Sequence, residues 1–108
     1  MLNQRPAHAF VYDKASNVAR LEIGAPGETR KTMEAQLLLD REGFLVGVDL
    51  EGTEVTRTVV MLGPHEKVDR ALSARVAVAY DANGQPAHVE VGDARTTIRA
   101  SEKNPYVR

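Results

Sequence analysis

No cysteine occurs anywhere in this chain of 108 residues. Disulfides, thiol nucleophiles and thiolate metal sites are therefore excluded. Tryptophan is also missing, and three Tyr with two Phe are the only aromatics. The core must be built from Val, Leu, Ile, Ala and Met, side chains that suit closely packed sheets better than a large ligand cavity. No apolar run approaches the roughly 20 residues of a membrane-spanning helix. Residues 1–6 (MLNQRP) lack the apolar stretch of a signal peptide, so a cytoplasmic location is expected. Neither sign of charge dominates: 14 basic against 15 acidic residues leave a net charge of −1, with both signs scattered. Arg95, Arg99 and Arg108 make the C-terminal end mildly basic, but Asp93 and Glu102 interrupt them. A nucleic-acid binder gathers its Lys and Arg into a strip that displaces counterions, so DNA and RNA are not expected partners.

What the chain does contain is a repeated hairpin. Residues 37–50 (LLLDREGFLVGVDL) place two apolar runs on either side of Asp40-Arg41-Glu42-Gly43. Asp at the first position can bond the backbone ahead of it, and Gly at the last accepts the positive φ that closes such a turn. Beyond it, Phe44, Val46, Val48 and Leu50 alternate with Leu45, Gly47 and Asp49, the period of a strand. Residues 76–91 (VAVAYDANGQPAHVEV) repeat the motif 41 positions later, with Asp81 on Asp40, Gly84 on Gly43 and Val91 on Leu50.

Around these hairpins the chain reads as strands at 8–13, 18–23, 33–39, 44–50, 54–62, 74–80, 87–91 and 95–100. Residues 24–32 (GAPGETRKT) form a loop, since Gly-Ala-Pro-Gly sustains neither ladder nor helix. Residues 65–73 read as loop with one helical turn at most, because two turns of helix are marginal without support. Residues 101–108 are a polar tail. The expected fold is a single all-β domain of about eight short antiparallel strands. It consists of two related half-domains (about 8–50 and 54–100) in a small sandwich or strongly curved sheet.

Tyr12-Asp13, the alternating run 18–23, Asp40 to Gly43 and Gly47-Val48-Asp49-Leu50 together resemble a group of very short bacterial domains of unknown function. The resemblance covers about residues 10–50, and the second half keeps only the hairpin. It implies a small β-rich domain, with no catalytic residue or ligand to carry over.

Candidate chemistry is sparse. His88 and Glu90, two apart on one strand face, offer two metal ligands where zinc needs three or four. Asp40 and Asp81 form a carboxylate pair on paper, but each has a structural task at the start of a turn. Ser16, Ser73 and Ser101 lack a nucleophile-elbow context, and Pro26 spoils the one glycine-rich loop as a phosphate cradle. No catalytic residue, metal site or cofactor is expected. The strands at 54–62 and 95–100 mix Arg and Thr with aliphatics, as sheet edges often do. Arg57, Thr58 and Val59 on one, and Arg95, Thr97 and Arg99 on the other, are therefore the candidate partner-binding edge. The expected function is a non-catalytic, homodimeric binding module that takes a protein or extended peptide by strand addition. A small-molecule or metal-binding accessory domain using His88, Glu90 and the turns is the alternative, and an enzyme ranks last.

Overall fold

A computed structural model describes residues 2–7, 9–50, 57–63 and 65–92. The described chain is all-β. Its strands are β1 (Leu2–Pro6), β2 (Ala9–Asp13), β3 (Val18–Glu22), β4 (Arg30–Leu39), β5 (Leu45–Leu50), β6 (Arg57–Met61), β7 (Arg70–Tyr80) and β8 (Pro86–Val91). A single 3-10 turn at His65–Lys67 precedes β7. Among the described residues no helix is long and apolar enough to cross a membrane.

The strands form one curled sheet in the order β1-β6-β5-β4-β7-β8-β3-β2. Its two outermost strands, β1 and β2, are consecutive in the chain and only residues 7–8 separate them. The sheet must therefore bend until its two ends approach at that corner. Two features differ from the sequence reading. The sheet is mixed, because β1 runs parallel to β6, with Leu2 opposite Arg57 and Pro6 opposite Met61. And β4 and β7 are long, at 10 and 11 residues. Their first residues, read as loop, extend as strand because Arg30–Thr32 and Arg70–Leu72 each pair with the far end of the other strand.

That β4–β7 ladder carries an approximate twofold axis. Glu34 faces Arg75, and the two occupy equivalent positions 41 residues apart. Rotation about this pair takes β3, β4 and β5 onto β6, β7 and β8. The hairpin pair Leu38 opposite Gly47 becomes Ala79 opposite His88, and Leu37 opposite Val48 becomes Val78 opposite Val89. Each half also lends its first strand to the other: β6 pairs with β5, and β3 with β8. The halves are thus interleaved rather than side by side.

The repeat extends to individual atoms. In the first turn the Asp40 carboxylate accepts N–H bonds from Glu42 and Phe44, both at 2.9 Å. In the second, Asp81 accepts from Asn83 at 2.8 Å and Gln85 at 2.9 Å. Gly43 and Gly84 close the turns at φ 91° and 78°. Each hairpin then shifts register at the same place, between Leu38 and Leu39 and between Ala79 and Tyr80. The bulge frees a carbonyl that takes two donors from the strand beside it. Val46 accepts from Leu62 and Gly63, and Ala87 accepts from Ile23 and Gly24.

The inner face is aliphatic in both halves: Leu21, Leu37, Leu39, Leu45, Val48, Val60, Val76, Val78, Val89 and Val91 are essentially inaccessible. The outer faces have diverged. On the wing formed by β5 and β6, Leu38, Val46, Val59 and Met61 form a second buried cluster, with Val68 packed on it. The equivalent positions on the opposite wing, formed by β8 and β3, include Ala79, Arg20 and Glu22, so there the face is largely polar. Gly47 lies on the first of these faces, where a Cβ would stand 2.6 Å from the Val60 carbonyl oxygen and 2.8 Å from the Met61 sulfur.

Substitution of Gly43 or Gly84 by Val is expected to cost about 1–3 kcal/mol each, because a β-branched residue resists positive φ. Gly47→Ala should cost a similar amount, since overpacking against backbone costs about 1–3 kcal/mol. Urea unfolding of the three variants checks both expectations. Glu34→Arg should lower stability by about 0.2–1 kcal/mol by setting like charges opposite one another, and adding Arg75→Glu should restore it.

Candidate functional site: the ends of the sheet

Of the positions marked from sequence as a partner-binding edge, the first three do not lie at one. Arg57, Thr58 and Val59 lie on β6, which has β1 on one side and β5 on the other. Thr58 and Val59 are only 8% and 6% exposed. The physical reason is the parallel strand β1, whose sequence (LNQRP) gives no alternation by which to foresee it. Arg95, Thr97 and Arg99 lie outside the described residues.

The other candidate groups are accounted for by the fold. His88 sits mid-sheet on β8, opposite Glu22 on β3 and Ala79 on β7. Glu90 is drawn across β7 into an ion pair with Arg30, with 3.3 Å between the charged atoms. Beside it Arg20 pairs with Glu22 at 2.8 Å. Among the described residues no three His, Asp or Glu groups converge to hold a metal ion. Asp40 and Asp81 lie at the two ends of the long ladder, each engaged in its own turn.

Each turn borders a cleft, and the two clefts are related by the approximate twofold. One, of about 410 Å³, lies between Asp40, Arg41, Glu42 and the segment from Glu66 to Asp69. The other, of about 280 Å³, is lined by Thr29, Lys31, Tyr80, Asp81, Ala82 and Gly84. In the first the Asp69 N–H bonds the Leu39 carbonyl at 2.8 Å, and in the second the Gly27 N–H bonds that of Tyr80 at 2.7 Å. Lys31 holds its ammonium 5.9 Å from the Tyr80 ring centre. Burial pushes the Tyr80 phenol above its ordinary pKa, so it stays a neutral hydroxyl at physiological pH. Both clefts are open to solvent.

What remains are the ends of the sheet. Among the described residues β1 pairs only with β6, and β2 only with β3. The two ends are built differently. β1 carries Arg5 and finishes at Pro6, and Arg5 is tied down by a 3.1 Å hydrogen bond from its guanidinium to the Pro86 carbonyl. Charge, proline and a fixed side chain are the devices by which proteins protect a sheet edge. β2 (AFVYD) carries no proline, no lysine or arginine, and no register shift against β3. Phe10 and Tyr12 pack on the inner core, and Tyr12 donates its hydroxyl proton to Asn17 at 3.1 Å. Val11 faces outward at 39% exposure, one of two large apolar side chains so exposed among the described residues. The one charge on β2, Asp13, is used by the following turn, where its carboxylate accepts the Ala15 N–H at 2.9 Å. A bond from the Ser16 hydroxyl, with backbone N–H groups of Ala15 and Ser16, holds Asp13 below the usual carboxylate range. No motif announces this edge. Its signal is a negative one, an alternating strand without protective charge, and it becomes legible only once the strand order is known.

No protein-family model matches this chain, and neither do the curated proteins or solved structures with which it was compared.

Asp40→Ala should destabilise by about 1–3 kcal/mol, since it leaves two turn N–H groups without their acceptor. Asp81→Ala should cost less, because its turn is more exposed and water can replace the carboxylate. Thermal unfolding of the pair checks this order. Asp13, with its folded pKa lowered, adds stability above the ordinary carboxylate pKa that is lost as the pH falls below about 4. Unfolding midpoints followed down that range should therefore decline less steeply in Asp13→Asn than in the native chain.

Proposed function

We propose that this chain is a non-catalytic binding module that takes an extended protein segment along the free side of a terminal strand. The observation that carries this reading is the edge of β2, which among the described residues has a strand on one side only. An edge strand presents a row of main-chain N–H and C=O groups on the side away from its neighbour, and these are a template for one further strand. The affinity of such a contact comes from the backbone, and alternate side chains supply the selectivity. The aliphatic inner face and the balanced charge of the chain favour this mode over a deep pocket or electrostatic capture. The resemblance of residues 10–50 to short bacterial β-rich domains fits a module without chemistry, because it brings no catalytic residue with it.

The test uses a displayed library of extended peptides selected against the whole protein. Selected peptides should slow amide exchange at alternate residues of β2 and leave β6 unchanged. Proline is the second arm. Placed in turn at Phe10, Val11 and Tyr12, it should abolish binding at positions whose N–H faces away from β3. The melting temperature should fall little at exposed Val11 and more at Phe10 and Tyr12, which pack on the core. At Thr58, whose strand is paired on both sides, proline should lower the melting temperature instead. Peptides that bind with β2 exchange unchanged would contradict the proposal.

A further inference from the structure

Resting on that reading, we infer that the segment β2 accepts is the β2 strand of a second copy of this chain, paired antiparallel about Val11. The edge of β2 is complementary to itself. A strand that pairs with itself across a twofold axis sets one residue against itself and all others against different partners. With Val11 on the axis, the two most exposed apolar side chains of the edge meet on the outer face. On the inner face Phe10 of one copy faces Tyr12 of the other, twice, and aromatic cross-strand pairs are among the stabilising ones. At the ends Asp13 falls opposite Ala9, so no like charges are opposed. A neighbouring choice of axis loses this. With Phe10 or Tyr12 on the axis, Val11 meets Ala9 or Asp13 and its apolar surface stays partly wet.

The other end of the sheet offers no such match, since Arg5 and Pro6 would enter the contact. Size sets the strength. A ladder of five residues per copy falls short of the roughly 1,200 Å² of a stable interface. The dimer should therefore be reversible and concentration-dependent rather than obligate.

The absence of cysteine from the chain makes the test direct. Val11→Cys places a single thiol on the proposed axis, and Leu72→Cys places one at the same 39% exposure elsewhere on the protein. Residues facing each other across antiparallel strands lie within disulfide reach. With oxidised glutathione as the acceptor of the two electrons, Val11→Cys should form a covalent dimer at least about tenfold faster than Leu72→Cys. Sedimentation of the native chain should show monomer and dimer exchanging with concentration. Val11→Lys should weaken that dimer by about tenfold, which corresponds to roughly 1.4 kcal/mol, with its circular dichroism and melting temperature unchanged. A native chain that stays monomeric, or equal cross-linking at the two positions, overturns the inference. The two failures can be told apart. If the monomer still protects alternate β2 amides when a selected peptide is added, edge capture stands and self-pairing falls. If β2 amides are uniformly slow in the monomer, the edge is already taken by the chain's own residues and both ideas fall.

Discussion

The antiparallel ladder between β4 and β7 is the constraint on which the rest of this molecule depends. Ten residues of each strand face one another without a shift in register, from Arg30 opposite Ala79 to Leu39 opposite Arg70. Because side chains alternate along a strand, that register decides in one step which residues of both halves turn inward. It also places Glu34 against Arg75 and so creates the approximate twofold. The hairpins that leave each end of the ladder then carry β5 and β8 to its outer sides, where the first strand of the opposite half completes each wing. Neither half has a closed sheet of its own, so the two are expected to fold as one unit.

Against this frame the Asp-x-x-Gly turns have a definite task. A carboxylate that accepts two N–H groups and a glycine at positive φ fix the length of the turn. The bulge that follows rotates the return strand and aims one carbonyl at the neighbouring strand. The same sequence of events at Asp40 and Asp81 keeps the two hairpins in register with one another while they share few identical residues. What has been free to change is the outer face. Leu38, Gly47, Val59 and Met61 on one side answer to Ala79, His88, Arg20 and Glu22 on the other, and only the first group is a closed apolar cluster. The twofold is also broken at the sheet's ends, where β1 runs parallel to its neighbour and β2 antiparallel.

Much of this was legible in the chain, because it is written in local patterns. Alternation marks the hairpin strands, and the recurrence of Asp and Gly at a constant offset marks the duplication. The bulge is the exception: it turns Leu45 inward and Val46 outward, against the simple period of two. The location of the edge was not legible. Arg57 and Thr58 look like edge residues by composition, yet whether a strand lies at an edge is settled by its partner, here a segment 55 positions away (Leu2 opposite Arg57). β1 itself has too little alternation to be read as a strand, and its stability comes from the pairing rather than from its own residues. The starts of β4 and β7 were missed for the same reason. Long-range pairing overrides local composition wherever a partner ladder is already in place.

Among the described residues the sheet ends at β2, with one side of its backbone unpaired, while β6 is enclosed by β1 and β5. Residue-resolved amide hydrogen exchange on the dilute, monomeric protein tests it most directly. The account predicts an alternating pattern along Ala9–Asp13, slow where the N–H bonds β3 and fast where it faces outward, with every described amide of β6 slow. Uniform protection along β2, or an alternating pattern along β6, would contradict it.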